Sequence, residues 1–334
     1  MLGALTVGLI DVGIAVPERW MTAAEIAAAS GIPEEVIVTR FGLDGKHIAG
    51  ADDHVSSMSV AAARRALDAA GVAASDLDLV VYFGSMWKDY MVWSAAPRIQ
   101  EAIGARRAWA LELSYVSCGT PIALKVVGDM MRADPALETA LVVGASRESH
   151  LLDYSNPSSR FMFNFGDGAA AAVLRRGAGH EIVASAIHTD GRFADDVAVF
   201  GGGSVHPASH ATVDAGLHRL DVRDPAAMKE RLDPISGPRF VEVAERACAA
   251  AGIAPSDLAL LAPIHFKRSF FEWVIARLGV PEERTAYLRR HGHMSGIDPL
   301  VGIDLWRDRL HPGDHVLLLA AGTGYTWAAT LLRW

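Results

Sequence analysis

The chain is poor in cysteine, with Cys118 and Cys248 alone among 334 residues. That excludes a disulfide framework, and a reducing, cytoplasmic compartment is expected. There is no apolar run of about eighteen residues, the length a spanning helix needs. The opening, Met1 to Ile10, lacks the charged-then-apolar layout of a signal peptide. Basic charge is also scarce. Lys and Arg number 31 against 39 Asp and Glu, a formal net charge of −8, which argues against a nucleic-acid partner. Finger-like metal spacing is missing. His291 and His293 flank one glycine, but no cysteine or histidine cluster joins them, so no metal is expected. Gly201-Gly202-Gly203 is followed by no Gly-Lys-Ser/Thr and reads as a loop, not a phosphate cradle.

What is present is apolar and repeated. Hydrophobic residues are 51% and charged residues 21%, the balance of a folded globular protein. Arg65 to Leu79 aligns with Arg246 to Leu260, with ten of fifteen residues identical. Each copy reads as a helix closed by glycine, a short loop and a strand, Leu79–Phe83 in one and Leu260–Ile264 in the other. A second echo pairs Gly166–Leu174 with Gly322–Leu332. The pattern breaks at Arg175 to His180. An internally duplicated α/β fold follows, with halves 1–176 and 177–334. A Gly-, Pro-, Asp- and His-rich insertion, about 189–238, reads as a cap on the second half.

Cys118 stands between a strand-like and a helix-like run. Ala108 to Leu113 reads as a mostly buried strand, and Ile122 to Met131 as a helix with Pro121 in its first turn. A thiol at that elbow faces the positive end of the helix dipole, so its pKa is expected to fall toward the thiolate that attacks carbonyls. Cys248 replaces Leu67 in the repeat and reads as core.

These residues resemble β-ketoacyl-acyl-carrier-protein synthase III and its relatives in the thiolase superfamily. The matching segments are Gly13–Arg19, Val38–Leu43, Ser117-Cys118-Gly119, Phe165–Ala170 and Gly322–Trp327. The resemblance implies a thiolase fold, two βαβαβαββ halves in a five-layer αβαβα sandwich, assembled as a homodimer. It implies that Cys118 carries an acyl thioester and that the backbone N–H groups of Cys118 and Thr323 form an oxyanion hole.

Two segments depart from the condensing members. Pro-His-Gln-Ala-Asn is replaced by Ile264-His265-Phe266-Lys267-Arg268. Gly-Asn-Thr-Ser-Ala-Ala-Ser is replaced by Gly292-His293-Met294-Ser295-Gly296-Ile297-Asp298. A carboxylate at Asp298 that orients His293 makes a stronger base. That suits removal of a proton from an attacking hydroxyl better than stabilisation of an enolate. The pattern resembles the acyltransferase branch of antibiotic tailoring, of the cervimycin malonyl transferase kind. Transfer of an acyl group to a hydroxyl, thiol or amine is therefore expected, with His265 polarising the carbonyl or activating Cys118. The alternative is decarboxylative condensation. Asp298 also suits a cap on a helix from Leu300 to Leu310, and His293 a structural substitute for the asparagine.

The resemblance further implies an acyl-coenzyme A or phosphopantetheine-linked donor, with no permanently bound cofactor. Val36 stands where relatives stack tryptophan on adenine, and Arg40 is retained. Lys267 and Arg268 suit an acidic carrier protein, or are simply solvated. Trp87, Val92 and Trp93 are expected to shape the acyl or acceptor chamber, with helix-core packing as the competing role for both tryptophans. The acceptor is expected to be a small molecule such as a glycosylated natural product.

Overall fold

The computed structural model describes residues 6–334, so half of the opening stretch Met1–Ile10 lies outside the described residues. In chain order the strands are β1 (Val7–Ala15), β2 (Trp20–Thr22), β3 (Gly45–His47), β4 (Leu79–Tyr82), β5 (Trp109–Glu112), β6 (Thr139–Ser146) and β7 (Gly168–Arg176). They continue as β8 (His180–Thr189), β9 (Val197–Val199), β10 (Leu220–Val222), β11 (Leu260–Pro263), β12 (His315–Gly322) and β13 (Thr326–Arg333). The helices are α1 (Ala23–Ser30), α2 (Glu34–Val36), α3 (Val55–Ala70), α4 (Ala95–Ile103), α5 (Gly119–Ala133), α6 (His210–Asp214), α7 (Pro225–Ala250), α8 (Arg268–Leu278) and α9 (Asp298–Trp306).

The repeat in the sequence is a repeat in the ladder. The long sheet runs β11-β12-β13-β8-β1-β7-β6-β4-β5. In the first half β6 is antiparallel to β7 and parallel to β4. In the second, β12 is antiparallel to β13 and parallel to β11. The halves touch through Gly8 with Glu181 and Leu9 with His180. Gly71 and Gly252 close the repeated helices at φ +62° and +72°, the left-handed conformation that glycine adopts freely.

Strand residues alternate between cores. Leu79 and Val81 enter a central core with Val316 and Leu318. Val80 and Tyr82 face the outer layer with Leu67 and Ile99. Leu317 and Leu319 face the other outer layer with Phe240 and Phe271. Both sheet faces are covered, so these strands read as continuous apolar runs. α5 and α9 lie in the central layer, α3 and α4 outside the β1-β7-β6-β4-β5 half of the long sheet, α7 and α8 outside the β11-β12-β13-β8 half. The layers are αβαβα.

Two elements differ from expectation. The strand expected to be mostly buried is the sheet edge, β5, and Trp109 is 49% exposed there. The insertion holds the β9–β10 ribbon and α6, but α7 already begins at Pro225 and runs through Pro234 and Pro238. Tertiary packing overrides the breakers: a Cβ on Gly237 would lie 2.7 Å from the Trp273 ring.

Candidate active site

β5 ends at Glu112, and a tight turn over Val116–Cys118 leads into α5. Val116 sits at φ +45°, an outlier for a β-branched residue and a form of strain found at functional turns. The opposing backbone is close enough that a Cβ on Gly296 would meet the Val116 oxygen at 2.7 Å. The turn sends Ser117 and Cys118 to different neighbours.

The Cys118 thiol donates to the Thr326 carbonyl at 2.9 Å and packs in the core beside Ile122. Burial pushes its pKa well above the ordinary thiol range, against backbone N–H groups of Gly322 and Ala328 that favour the thiolate. The direction is opposite to the expected fall, because desolvation outweighs those two backbone hydrogen bonds.

Ser117 meets the histidine instead. Its hydroxyl donates to His293 Nε2 at 2.7 Å, and His293 Nδ1–H donates to Asp298 Oδ2 at 2.6 Å. Asp298 is the first residue of α9 and makes no capping bond. Its carboxylate accepts also from the backbone N–H of His265 at 2.8 Å and of Met294 at 2.7 Å. Burial disfavours charge on His293. The Asp298 charge and hydrogen bond, with Glu148 adding, nevertheless hold its pKa above the ordinary histidine value. Hydroxyl, imidazole and carboxylate in line are an arrangement that can activate a nucleophile.

His265 is turned elsewhere. Its Nδ1 accepts from Asn164 Nδ2 at 2.9 Å, its Nε2–H donates to the Gly42 carbonyl at 3.3 Å, and the ring stacks on Tyr287. Burial lowers its pKa to about 4, so it is neutral at pH 7. Glu148 is buried near His293 and the hydroxyls of Ser85 and Ser295, and burial raises its carboxyl pKa.

The remaining candidates scatter. Thr323 lies half-buried in the β12–β13 turn. A Cβ on adjacent Gly322 would stand 2.8 Å from the Tyr115 oxygen and 3.2 Å from the Ser117 nitrogen. Arg40 and Lys267 are exposed on segments tied together by Tyr287, whose hydroxyl donates to the Phe266 carbonyl at 2.9 Å. Arg268 is consumed by Glu272 and Glu282, which leaves little charge for a partner. Trp87 and Trp93 are half-buried, whereas Val92 is fully exposed at φ +50°. Among the described residues no three His, Cys, Asp or Glu side chains gather to hold a metal. Also among them, no helix is long and apolar enough to cross a membrane.

Asn164 and Glu148 carried no motif of their own in the sequence, and Ser117 entered only as a member of the segment Ser117-Cys118-Gly119. One signal was available for Ser117. Cys118 is four residues before Ile122 on a helical face that points into the core, so its neighbour turns about 100° away.

Two profiles match the chain. That of 3-oxoacyl-[acyl-carrier-protein] synthase III covers residues 111–191, and that of its C-terminal region covers 248–334. A curated relative, β-ketoacyl-[acyl-carrier-protein] synthase III of Rhodospirillum centenum, is 32% identical with 98% of each chain covered. The protein of the same name from Roseiflexus sp. is 31% identical with 96% of each covered. Among solved structures, the priming β-ketosynthase of the R1128 polyketide pathway aligns with TM-score 0.85 and 27% identity, over 98% of this chain and 96% of that one. The 3-oxoacyl-(acyl carrier protein) synthase III of Pseudomonas aeruginosa aligns with TM-score 0.84 and 26% identity, over 98% of each.

Proposed function

The chain belongs to the 3-oxoacyl-[acyl-carrier-protein] synthase III family, and from that premise we propose that it is an acyltransferase whose acyl group is carried as an ester on Ser117. Members of this family use acyl-coenzyme A and acyl-carrier-protein substrates without a permanent cofactor. The observation that carries the proposal is the Ser117–His293–Asp298 line. His293 takes the Ser117 proton as the oxygen attacks the thioester carbonyl. The imidazolium then returns the proton to the leaving thiolate. In the second step His293 takes the proton of an acceptor hydroxyl as it attacks the ester carbonyl, and the imidazolium gives that proton to the departing Ser117 oxygen, which regenerates the hydroxyl. The oxyanion donors are assigned to the backbone N–H groups of Ser117 and Thr323. The N–H of Cys118 is already given to the Tyr115 carbonyl at 3.0 Å. An oxygen ester is less electrophilic than a thioester, which favours oxygen transfer to a deprotonated hydroxyl over attack by a carbon nucleophile.

The donor surface includes Arg40 and Lys267, the active unit is a homodimer, and the acceptor is a small molecule of secondary metabolism. The likeness to a polyketide-pathway enzyme supports the last point.

A second reading, decarboxylative condensation, is favoured by the names of the relatives. Intact-mass measurement after incubation with a panel of acyl-coenzyme A donors separates the two. The expected adduct persists in C118A, disappears in S117A and resists neutral hydroxylamine, which cleaves thioesters. An adduct lost in C118A and cleaved by hydroxylamine overturns the serine assignment. Release of carbon dioxide from a malonyl thioester, with extension of the acyl chain, establishes the second reading.

A further inference from the structure

A buried lysine outside the hydroxyl–imidazole–carboxylate line grips the segment that holds both histidines. Lys46, on β3, has no exposed surface. Its ammonium donates to the Phe163 carbonyl at 2.8 Å and to the Phe165 carbonyl at 2.6 Å. Those carbonyls flank Asn164. The Asn164 backbone carbonyl accepts from the His293 N–H at 2.9 Å, and its side-chain Nδ2 donates to His265 Nδ1 at 2.9 Å. The next residues extend the grip, with the Gly166 N–H donating to the His293 carbonyl at 2.9 Å.

We propose that Asn164, clamped by Lys46, is a positioning residue that fixes His265 as the Nε2–H tautomer and so confines it to donating, leaving proton acceptance to His293. An amide N–H on Nδ1 forces the ring proton to Nε2, where it faces the Gly42 carbonyl. A flipped amide would need Nδ1–H and would set a bare Nε2 against that carbonyl oxygen. In the observed orientation the Asn164 Oδ1 is buried without a partner. The division of labour between the histidines rests on the acyl-transfer reading. The tautomer does not.

Burial supports the assignment. It lowers the His265 pKa to about 4, with Asp298 opposing, and the Lys46 pKa to about 7, with Asp167 opposing. Neither state of the lysine loses the ability to donate to two carbonyls.

The test is nitrogen-15 NMR of histidine-labelled protein between about pH 5 and pH 8. Wild type is expected to hold His265 as neutral Nε2–H throughout. N164D supplies an acceptor in place of the donor, so the Nδ1 signal is expected to become protonated and the ring to titrate upward. K46M is expected to loosen the segment and mix the tautomers, while K46R keeps a donor and restores the wild-type signal. Far-UV circular dichroism separates these shifts from unfolding. Should K46M fail to fold, N164D alone carries the test. A wild-type His265 carrying Nδ1–H, or a His265 signal unchanged in N164D, overturns the proposal. A wild-type Nε2–H signal in a protein whose adduct sits on Cys118 leaves the tautomer standing and removes only the serine chemistry.

Discussion

Asp298 holds three N–H groups at once, from His293 Nδ1, His265 and Met294, with no exposed surface. A buried carboxylate is tolerated when its oxygens are filled in this way. An amide cannot replace it, because one of its two positions is a donor. D298N should therefore remove both the orientation and the charge. His293 must be neutral to accept a proton, so the rate rises with pH through a pKa held above the ordinary histidine value. Without the carboxylate that rising limb should move to lower pH, and the plateau should fall by about a hundred- to ten-thousandfold. A pH–rate profile of ester transfer measures both, and an unmoved limb would show that Asp298 does not act on His293. E148Q should move the limb in the same direction with a much smaller fall, since Glu148 contributes charge but no orienting bond to His293. The same variant should change stability with a defined sign. Burial raises the Glu148 pKa, so its contribution is present below the unfolded value and is lost as pH rises through the folded one. The thermal midpoint of E148Q should gain on wild type in that upper range, and a constant difference across pH would contradict this. The sequence brought His265, His293 and Asp298 forward as candidates; His293 pairs with Asp298 through its ring, whereas His265 meets Asp298 only through its backbone N–H and turns its ring to Asn164 and Gly42. It singled out Cys118 because that residue stands between a strand-like and a helix-like run in the matching segment, and it gave Ser117 no role of its own. Which of two consecutive side chains faces the base depends on the Val116 turn, and no local pattern encodes a left-handed valine.

Elements set the site by bringing two turns together. The turn after β5 presents Ser117, and the end of β12 brings the Gly322 backbone against it. Gly322 is the point of closest approach. G322A should wedge these turns apart, because the added Cβ meets the Tyr115 carbonyl oxygen and two backbone nitrogens that lack room to retreat. We expect acyl loading to fall about tenfold or more, as small displacements of reacting groups do, with thermal stability falling much less. Loading kinetics beside a melting curve test this, and a variant that loses stability but loads normally would separate the turn from the chemistry. The strands and repeated helices were legible because both faces of each sheet are covered, which leaves apolar runs, and because glycines mark the helix ends. The edge position of β5 and the length of α7 were not. Both depend on what lies opposite, and a local window holds no trace of Trp273 against Gly237.

At the scale of the whole molecule, the segment after β4 exposes several large apolar side chains. Met86, Tyr90, Met91 and Val92 are 61%, 71%, 73% and 105% exposed, and Trp109 on the neighbouring edge strand is 49% exposed. Glu112 fixes the two together, since it lies on β5 and pairs with Lys88 at 2.6 Å. Edge strands that stay unpaired are usually guarded by lysine, proline or a bulge. β5 reads Trp-Ala-Leu-Glu and carries none of these. Exposed aromatic and methionine side chains are the composition of a protein interface. Sedimentation should accordingly give twice the 35.6 kDa chain mass. W109K places a charge on the open edge, and M91D with V92D charges the adjoining segment, so each should shift the protein toward monomer without unfolding it. If the partner's segment completes the acyl chamber, loading of Ser117 should fall in step with the loss of dimer and recover as protein concentration is raised. Monomeric wild type at micromolar concentration, or monomeric variants that load at the full rate, would mean that each chain builds its chamber alone.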